Sequence, residues 1–207
     1  MILLVSGATW DVNFYTSRFP EFYQALGSLI VPRAGNTKSA VTIPQRWAGD
    51  NGAFSHFDER LFLKMLHQFR QTPGCLFIAA PDKVGDATAT LTLFRQWEPI
   101  IKSYGYPVAL VSQDGLTHRA TPWTLLDAMF IGGSTEWKLG RQAASLAGYA
   151  KAMGKWVHMG RVNSKRRMAY AYSIGCDSVD GSKFSKFPGT WIPRAMTWIR
   201  SIEKTRV

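Results

Sequence analysis

WVHMGRVNSKRRMAYAYSIGCDSVDG, residues 156–181, sets two short apolar runs, 156–159 and 177–180, on either side of a longer amphipathic one, SKRRMAYAYSIG. Runs that short read as buried strands, and the longer one as a helix. Strands separated by a helix pair in parallel, because the crossover returns the chain to the edge where it started. The same alternation extends upstream, with strands expected at 2–6, 28–32, 46–50, 76–80, 108–112 and 128–132. In FDERLFLKMLHQFRQ, Asp58 stands as a helix N-cap, and Leu61, Met65 and Leu66 share a face with Phe62 and Phe69 adjacent. DATATLTLFRQWEPIIKSYG is expected as a helix that Pro99 bends and Gly105 closes. GRQAASLAGYAKAMG and PRAMTWIRSIEK complete the set. Between the first two strands only a turn or two of helix is expected, around 19–25. The polar stretch RAGNTKSAVTIPQ, 33–45, is expected as a loop. Eight strands predict one α/β domain over 1–207, a compact (β/α)8 TIM-like barrel near the short end of its size range.

Hydrophobic residues make up 46% of the chain and charged ones 19%, enough apolar side chain for a sizeable core. No apolar run approaches the roughly 20 residues of a membrane span. The opening MILLVSGATW lacks the basic lead of a signal peptide and reads as a strand. Cys75 and Cys176 each follow a glycine and form no CxxC. They read as small buried thiols in a reducing, cytoplasmic setting, with no metal site. Twenty-five Lys and Arg against 14 Asp and Glu leave a net charge of +11. That excess favours a polyanionic partner, nucleic acid before an anionic membrane surface.

In a parallel barrel the chemistry collects where the strands end. The endings here are WAGDNGAF with Asp50, APDKVGD with Asp82 and Asp86, VSQDG with Gln113 and Asp114, FIGGSTEWK with Gly132, Gly133 and Glu136, and DSVDG with Asp180. Any one of them is equally an ordinary turn, since Asp and Gly are favoured there. Several on one rim imply a site. Two carboxylates flanking a glycosidic carbon suit a nucleophile and an acid/base, and a further carboxylate suits the N–H groups of a purine. Side-chain-free glycines let a planar base approach the backbone.

Taken in order, WAGDNGAF, APDKVGD, VSQDG, FIGGSTEWK and HMGRVNSKRRMAYAYSIGCDSVDG resemble the tRNA-guanine transglycosylase superfamily, and most of all the phage-type DNA-guanine transglycosylases. The resemblance runs from about Trp47 to Gly181. DNGAF is similar to the family block DSGG(F/Y)Q, which implies that Asp50 is the acid/base. APDKVGD implies a base-reading role for Asp82, and VSQDG, similar to VQGG, implies one for Gln113. IGGS, similar to GGLA, implies that Gly132 and Gly133 border the base through their backbone. GCDSVDG is similar to GxDxFD, which implies that Asp180 is the nucleophile and Asp177 a structural neighbour. The implied partners are DNA, single-stranded or with a flipped base, and a free 7-deazaguanine base such as 7-cyano-7-deazaguanine. No cofactor is implied, and a protein partner is left open. The implied setting is cytoplasmic, the host cytoplasm if phage-encoded.

The chain departs from the tRNA enzymes after Asp180. SKFSKFP stands where they carry PTR, and no cysteine follows for their zinc subdomain. DNA is therefore expected over tRNA, and zinc is not expected. Arg161, Lys165, Arg166 and Arg167 read either as a solvated helix face or as phosphate contacts at a helix start that Asn163 or Ser164 caps. Lys183 and Lys186 extend that surface. His158 reads either as a packed, hydrogen-bonded histidine or as a substrate contact. Trp137 reads as a base-stacking ring or as rim packing, and Glu136 as a substrate contact or a loop cap. Trp191 and Trp198 read as anchors of the last helix. Exchange on tRNA, a noncatalytic nucleic-acid-binding barrel and an unrelated barrel glycosidase or lyase stand as alternatives.

Overall fold

In the computed structural model, which describes residues 1–32 and 46–205, strand β1 (Ile2–Ser6) pairs with β2 (Leu26–Ile30) on one side and with β8 (Ser178–Asp180) on the other. That second pairing closes the sheet. The intervening strands β3 (Trp47–Gly49), β4 (Cys75–Ala79), β5 (Val108–Ser112), β6 (Ala128–Ile131) and β7 (Trp156–Met159) follow in chain order, all parallel. The (β/α)8 expectation holds. The stretch 33–45 lies outside the described residues.

Strand pleat sends alternate side chains to opposite faces. Inside the barrel Ile2, Leu4, Leu29, Ala48, Phe77, Ala109 and Ala128 form one small cluster. The larger cluster between sheet and helices takes the other parity, including Leu3, Val5, Ile30, Ile78, Leu110, Val157 and Val179. Strand edges shift from the expected ones where pairing decides them. β2 starts at Leu26 because Leu26 lies opposite Leu3. Its Gly27 is required by proximity: an added Cβ would stand 2.4 Å from the Arg46 carbonyl.

The helices are α1 (Thr9–Arg18), α2 (Glu59–Phe69), α3 (Ala87–Ser103), α4 (Thr135–Lys138), α5 (Arg141–Ala152), α6 (Lys165–Ser173), α7 (Ser182–Lys186) and α8 (Pro188–Lys204). Asp58, Asp86 and Ser164 cap α2, α3 and α6 by accepting from backbone N–H groups three residues on. On α2 the buried face is Phe62, Met65, Leu66 and Phe69, with Leu61 at its margin. β5 and β6 are joined by turns alone.

Two helices correct the sequence reading. α1 precedes the 19–25 region where a short helix was expected; there only a 3-10 turn, Pro20–Phe22, forms. α1 has no side-chain cap and buries Thr9, Val12 and Thr16 while Trp10 and Phe14 face outward, so its pattern is inverted. α8 begins at Pro188 and not Pro193, which lies inside it. Pro193 has no N–H for the Gly189 carbonyl one turn back. The Tyr15 hydroxyl of α1 donates to that carbonyl instead, at 3.2 Å.

Candidate active site

Each strand's last inward position falls at the barrel's carboxyl-terminal mouth, and there the chain leaves a pocket of about 270 Å3. Asp50, Asp82, Gln113, Gly132, Gly133, Arg161 and Asp180 all line it. Those residues lie on endings as far apart in sequence as β3 and β8, and closure of the barrel brings them together. Ser6, Asn51, Phe54, Val84, Phe130 and Ser182 are also in the wall, and the sequence did not mark them as site residues.

Asp82 is held at both oxygens. The Asn51 amide donates to Oδ1 at 2.8 Å and the Gln113 amide to Oδ2 at 2.6 Å. Asn51 Nδ2 also donates to the Ala80 carbonyl, and its Oδ1 accepts from Ala53. Gln113 Oε1 accepts from the Gly85 N–H at 2.9 Å, so the glutamine spans two strand endings. Burial raises the Asp82 carboxyl above its usual range, opposed by these two amides and by Arg161. Asn51 was legible only as the neighbour of Asp50; its role depends on a contact 31 residues away.

Asp50 Oδ1 accepts from the Gly52 N–H at 3.1 Å. Gly52 has φ +75°, a left-handed conformation that suits glycine. Burial, reinforced by the facing charges of Asp180 and Asp82, raises the Asp50 carboxyl to about 6, against the pull of the Gly52 N–H. A carboxyl so placed can both give and take a proton near neutrality.

Asp180 is positioned from beneath. Its Oδ1 accepts from the Arg161 backbone N–H at 3.3 Å and lies 3.1 Å from His158 Nε2. His158 is fully buried between the rings of Phe130 and Phe77, at 4.5 and 5.2 Å. Its Nδ1 is 2.8 Å from Ser178 Oγ, which accepts from the Trp156 indole at 2.9 Å. We assign the ring proton to Nε2: Ser178 then donates to Nδ1, and His158 donates to Asp180, so each group in the row is satisfied. His158 is thus the packed, hydrogen-bonded histidine and does not line the pocket.

At Gly132 and Gly133 the backbone itself forms the wall. A Cβ on Gly132 would stand 2.7 Å from Val111, and Gly133 has φ +73° with Trp137 packed against it. Trp137 is rim packing. Asp114 accepts from the Ser134 N–H at 2.8 Å and its hydroxyl at 2.6 Å, pinning this loop. Against the upward push of burial, those bonds hold the Asp114 carboxyl below its usual value. Arg161 combines a left-handed backbone (φ 60°) with a guanidinium that donates to the Gly133 carbonyl and lies 4.9 Å from the exposed Phe54 ring. Lys138, buried behind this loop, donates to the Gly160 carbonyl at 2.8 Å. Burial and then Arg161 lower its ammonium to about 8, with Asp180 opposing.

Several expected residues stand elsewhere. Asp86 caps α3. Asp177, expected as a structural neighbour, lies at the opposite end of β8, paired with Lys151 at 2.7 Å. Glu136 is exposed on α4 and outside the pocket. Of the four cations grouped as phosphate contacts, Arg161 alone lines the pocket. Lys165 borders a groove between α6 and the end of α8, Arg166 is exposed, and Arg167 is half-buried near Lys138. Asn163 accepts from the Lys183 N–H at 2.9 Å, so it tethers α7 and leaves the α6 cap to Ser164. Cys176 is buried and Cys75 half-buried, both as free thiols. Among the described residues no three His, Cys, Asp or Glu side chains gather as a metal-ligand set, and no helix is long and apolar enough to cross a membrane.

The chain matches no protein-family model and no curated protein.

Proposed function

We propose that this barrel is a DNA-guanine transglycosylase, which exchanges guanine in DNA for a 7-deazaguanine base such as 7-cyano-7-deazaguanine. One observation carries the reading: three carboxylates in three different environments, Asp50, Asp82 and Asp180, converge on one pocket at the barrel mouth. Among the described residues Asp180 Oδ2 has no hydrogen-bond partner, while Oδ1 is held by His158 and Arg161. Oδ2 is the oxygen that attacks C1′ of the target nucleotide. The C1′–N9 bond breaks, its electron pair passes to N9, and N9 takes a proton from Asp50. Guanine leaves and the deazaguanine enters. Asp50, now a carboxylate, removes the N9 proton as N9 attacks C1′, and the bond to Asp180 breaks to restore its carboxylate. Two inversions retain the configuration. The exchange balances without a redox or nucleotide cofactor.

Asp82, accepting from Asn51 and Gln113, keeps lone pairs for the N1–H and exocyclic amine of a guanine edge. The Gly132–Gly133 backbone borders the base, and Phe54 lies at the mouth beneath Arg161. The pocket admits one base and not a duplex, so the target nucleotide must leave its stack. SKFSKFP in place of PTR after the nucleophile supports DNA over tRNA.

Nucleoside mass spectrometry on DNA from cells expressing the chain with a deazaguanine supply tests this, beside Asp180→Ala. A modified deoxyguanosine made by the wild type and absent from the variant is the expected result. Modified tRNA with unmodified DNA would overturn the substrate. Purified protein that exchanges labelled guanine in neither nucleic acid would overturn the reaction.

A further inference from the structure

The rim between β8 and β1 carries features that base exchange leaves unused. Ser6 and Ser182 both line the pocket, and each leads directly into a helix whose outer side is aromatic or basic. Beyond Ser6, α1 buries its small residues and turns Trp10, 70% exposed, and Phe14, 42% exposed, to solvent, with the two rings stacked at 5.6 Å. Beyond Ser182, α7 carries Lys183 and Lys186, and Phe187, 62% exposed, marks its junction with α8. The halves are joined: Ser6 Oγ lies 3.2 Å from Ser185 Oγ, and Tyr15 donates to Gly189. Two residues past Gly189, Trp191 takes the Lys183 ammonium on its ring at 4.1 Å and the Arg194 guanidinium at 4.9 Å. Among the described residues, Lys183, Lys186 and Arg194 form no ion pair with a carboxylate.

We infer that this sector is a track for single-stranded nucleic acid flanking the target nucleotide, in which Trp10, Phe14 and Phe187 stack bases and Lys183, Lys186 and Arg194 hold phosphates. The inference rests on the reading above that the pocket serves a nucleic acid. Flat exposed rings interleaved with unpaired cations are what a single strand requires, because every base has a stacking face and every linkage a charge. A protein partner would call for an apolar centre low in charge, whereas this sector carries Lys183, Lys186 and Arg194, with Asp11 on α1 against them. A duplex would present its phosphates but no free base faces to the rings.

Binding of a fluorescein-labelled oligothymidylate of about 15 nucleotides, near the upper end of single-strand site sizes, tests the track. The probe holds no guanine, so it reads the track apart from exchange. Trp10→Ala and Phe187→Ala should each weaken binding about tenfold, the loss of one stacked base. Trp10→Phe should restore most of the affinity. Lys183→Ala with Lys186→Ala should lower the slope of log Kd against log salt by about 0.7 per lost phosphate contact. Both aromatic positions are exposed, so thermal melts should match the wild type. Unchanged affinity in Trp10→Ala and Phe187→Ala overturns the track, and loss of self-association on sedimentation in those variants would assign the face to copies of this chain instead. Trp10-dependent binding without any base exchange would leave the track standing and remove the transglycosylase reading alone.

Discussion

The two ends of the barrel use the same residue type in opposite ways. At the amino-terminal end, Asp127 and Asp177 each precede a strand and staple three elements. Asp177 accepts from the Val157 N–H at 2.8 Å and pairs with Lys151 of α5. Asp127 accepts from the Val108 N–H at 2.9 Å, with Lys102 of α3 at 3.9 Å. At the carboxyl-terminal end, Asp50, Asp82 and Asp180 have no lysine partner among the described residues and face one another across a cavity. The lower carboxylates are matched to a cation and a backbone donor, which favours the fold. The upper ones are left undercompensated, which favours chemistry and costs stability.

The largest expected effect is at Asp180. Asp180→Asn should lower base exchange at least about a thousandfold by removing the nucleophile, with little change in melting temperature, since the amide oxygen can still accept from His158 and Arg161. Asp177→Ala, three residues away, should do the reverse. It leaves the Val157 N–H unsatisfied, costing about 1–2 kcal/mol and a melting shift of a few degrees, while the folded fraction still exchanges bases. If both variants lost activity at equal stability, the contrast between the two ends would be wrong.

Asp50→Asn comes next. It should abolish the fall in rate as pH rises above about 6, the range over which Asp50 loses the proton it gives to N9, measured by single-turnover release of labelled guanine. Its stability signature has a definite sign. A carboxyl whose folded pKa is raised binds more protons folded than unfolded between its ordinary value and about 6, so wild-type stability falls as pH rises through that window. Asp50→Asn lacks the slope. Thermal melts should show the variant gaining on the wild type from pH 4 to pH 7, with no difference between them at the acid end.

His158→Asn should slow exchange by about a hundredfold or less, the scale of a misplaced reacting group. It leaves Asp180 in place but removes the donor that aims it. Ser178→Ala should produce a weaker version of the same defect, since it breaks the row one link further back. A defect in rate with unchanged affinity for the incoming base distinguishes positioning from binding. The smallest effect belongs to Lys165→Ala. Its site is a groove on the helical flank, so neither exchange nor the salt dependence of DNA binding should move, and stability should stay within about 0.5 kcal/mol. A lost phosphate contact there would extend the nucleic-acid surface around the barrel.

The barrel was legible because strand and helix periods alternate from β3 onward, except between β5 and β6, which turns alone join. α1 was not legible, since Thr9, Val12 and Thr16 face the core while Trp10 and Phe14 face outward, the inverse of an amphipathic helix. α8 was placed late because Pro193 looks like a helix start, whereas the helix runs through it and the Tyr15 hydroxyl of α1 donates to the Gly189 carbonyl that Pro193 cannot serve. In the site, each carboxylate could be found at a strand ending. Which strand endings carried chemistry and which were caps could not: Asp86 and Asp114 occur in the same kind of motif as Asp82, and serve backbone N–H groups.

The sequence by itself determined the order of strands, the parallel sheet and the rim on which acids collect, because pleat, helical period and turn chemistry are local. Only the tertiary structure decided which acids face one another. His158, an ordinary inward residue on a strand, reaches Asp180 only because β7 pairs with β8, and Asn51 reaches Asp82 only because β3 lies beside β4. A carboxyl's proton affinity depends on the charges and donors within a few ångströms. In this chain the neighbours of Asp82 and Asp180 lie 19 to 31 residues away in sequence, and only the pairing of their strands brings them into contact.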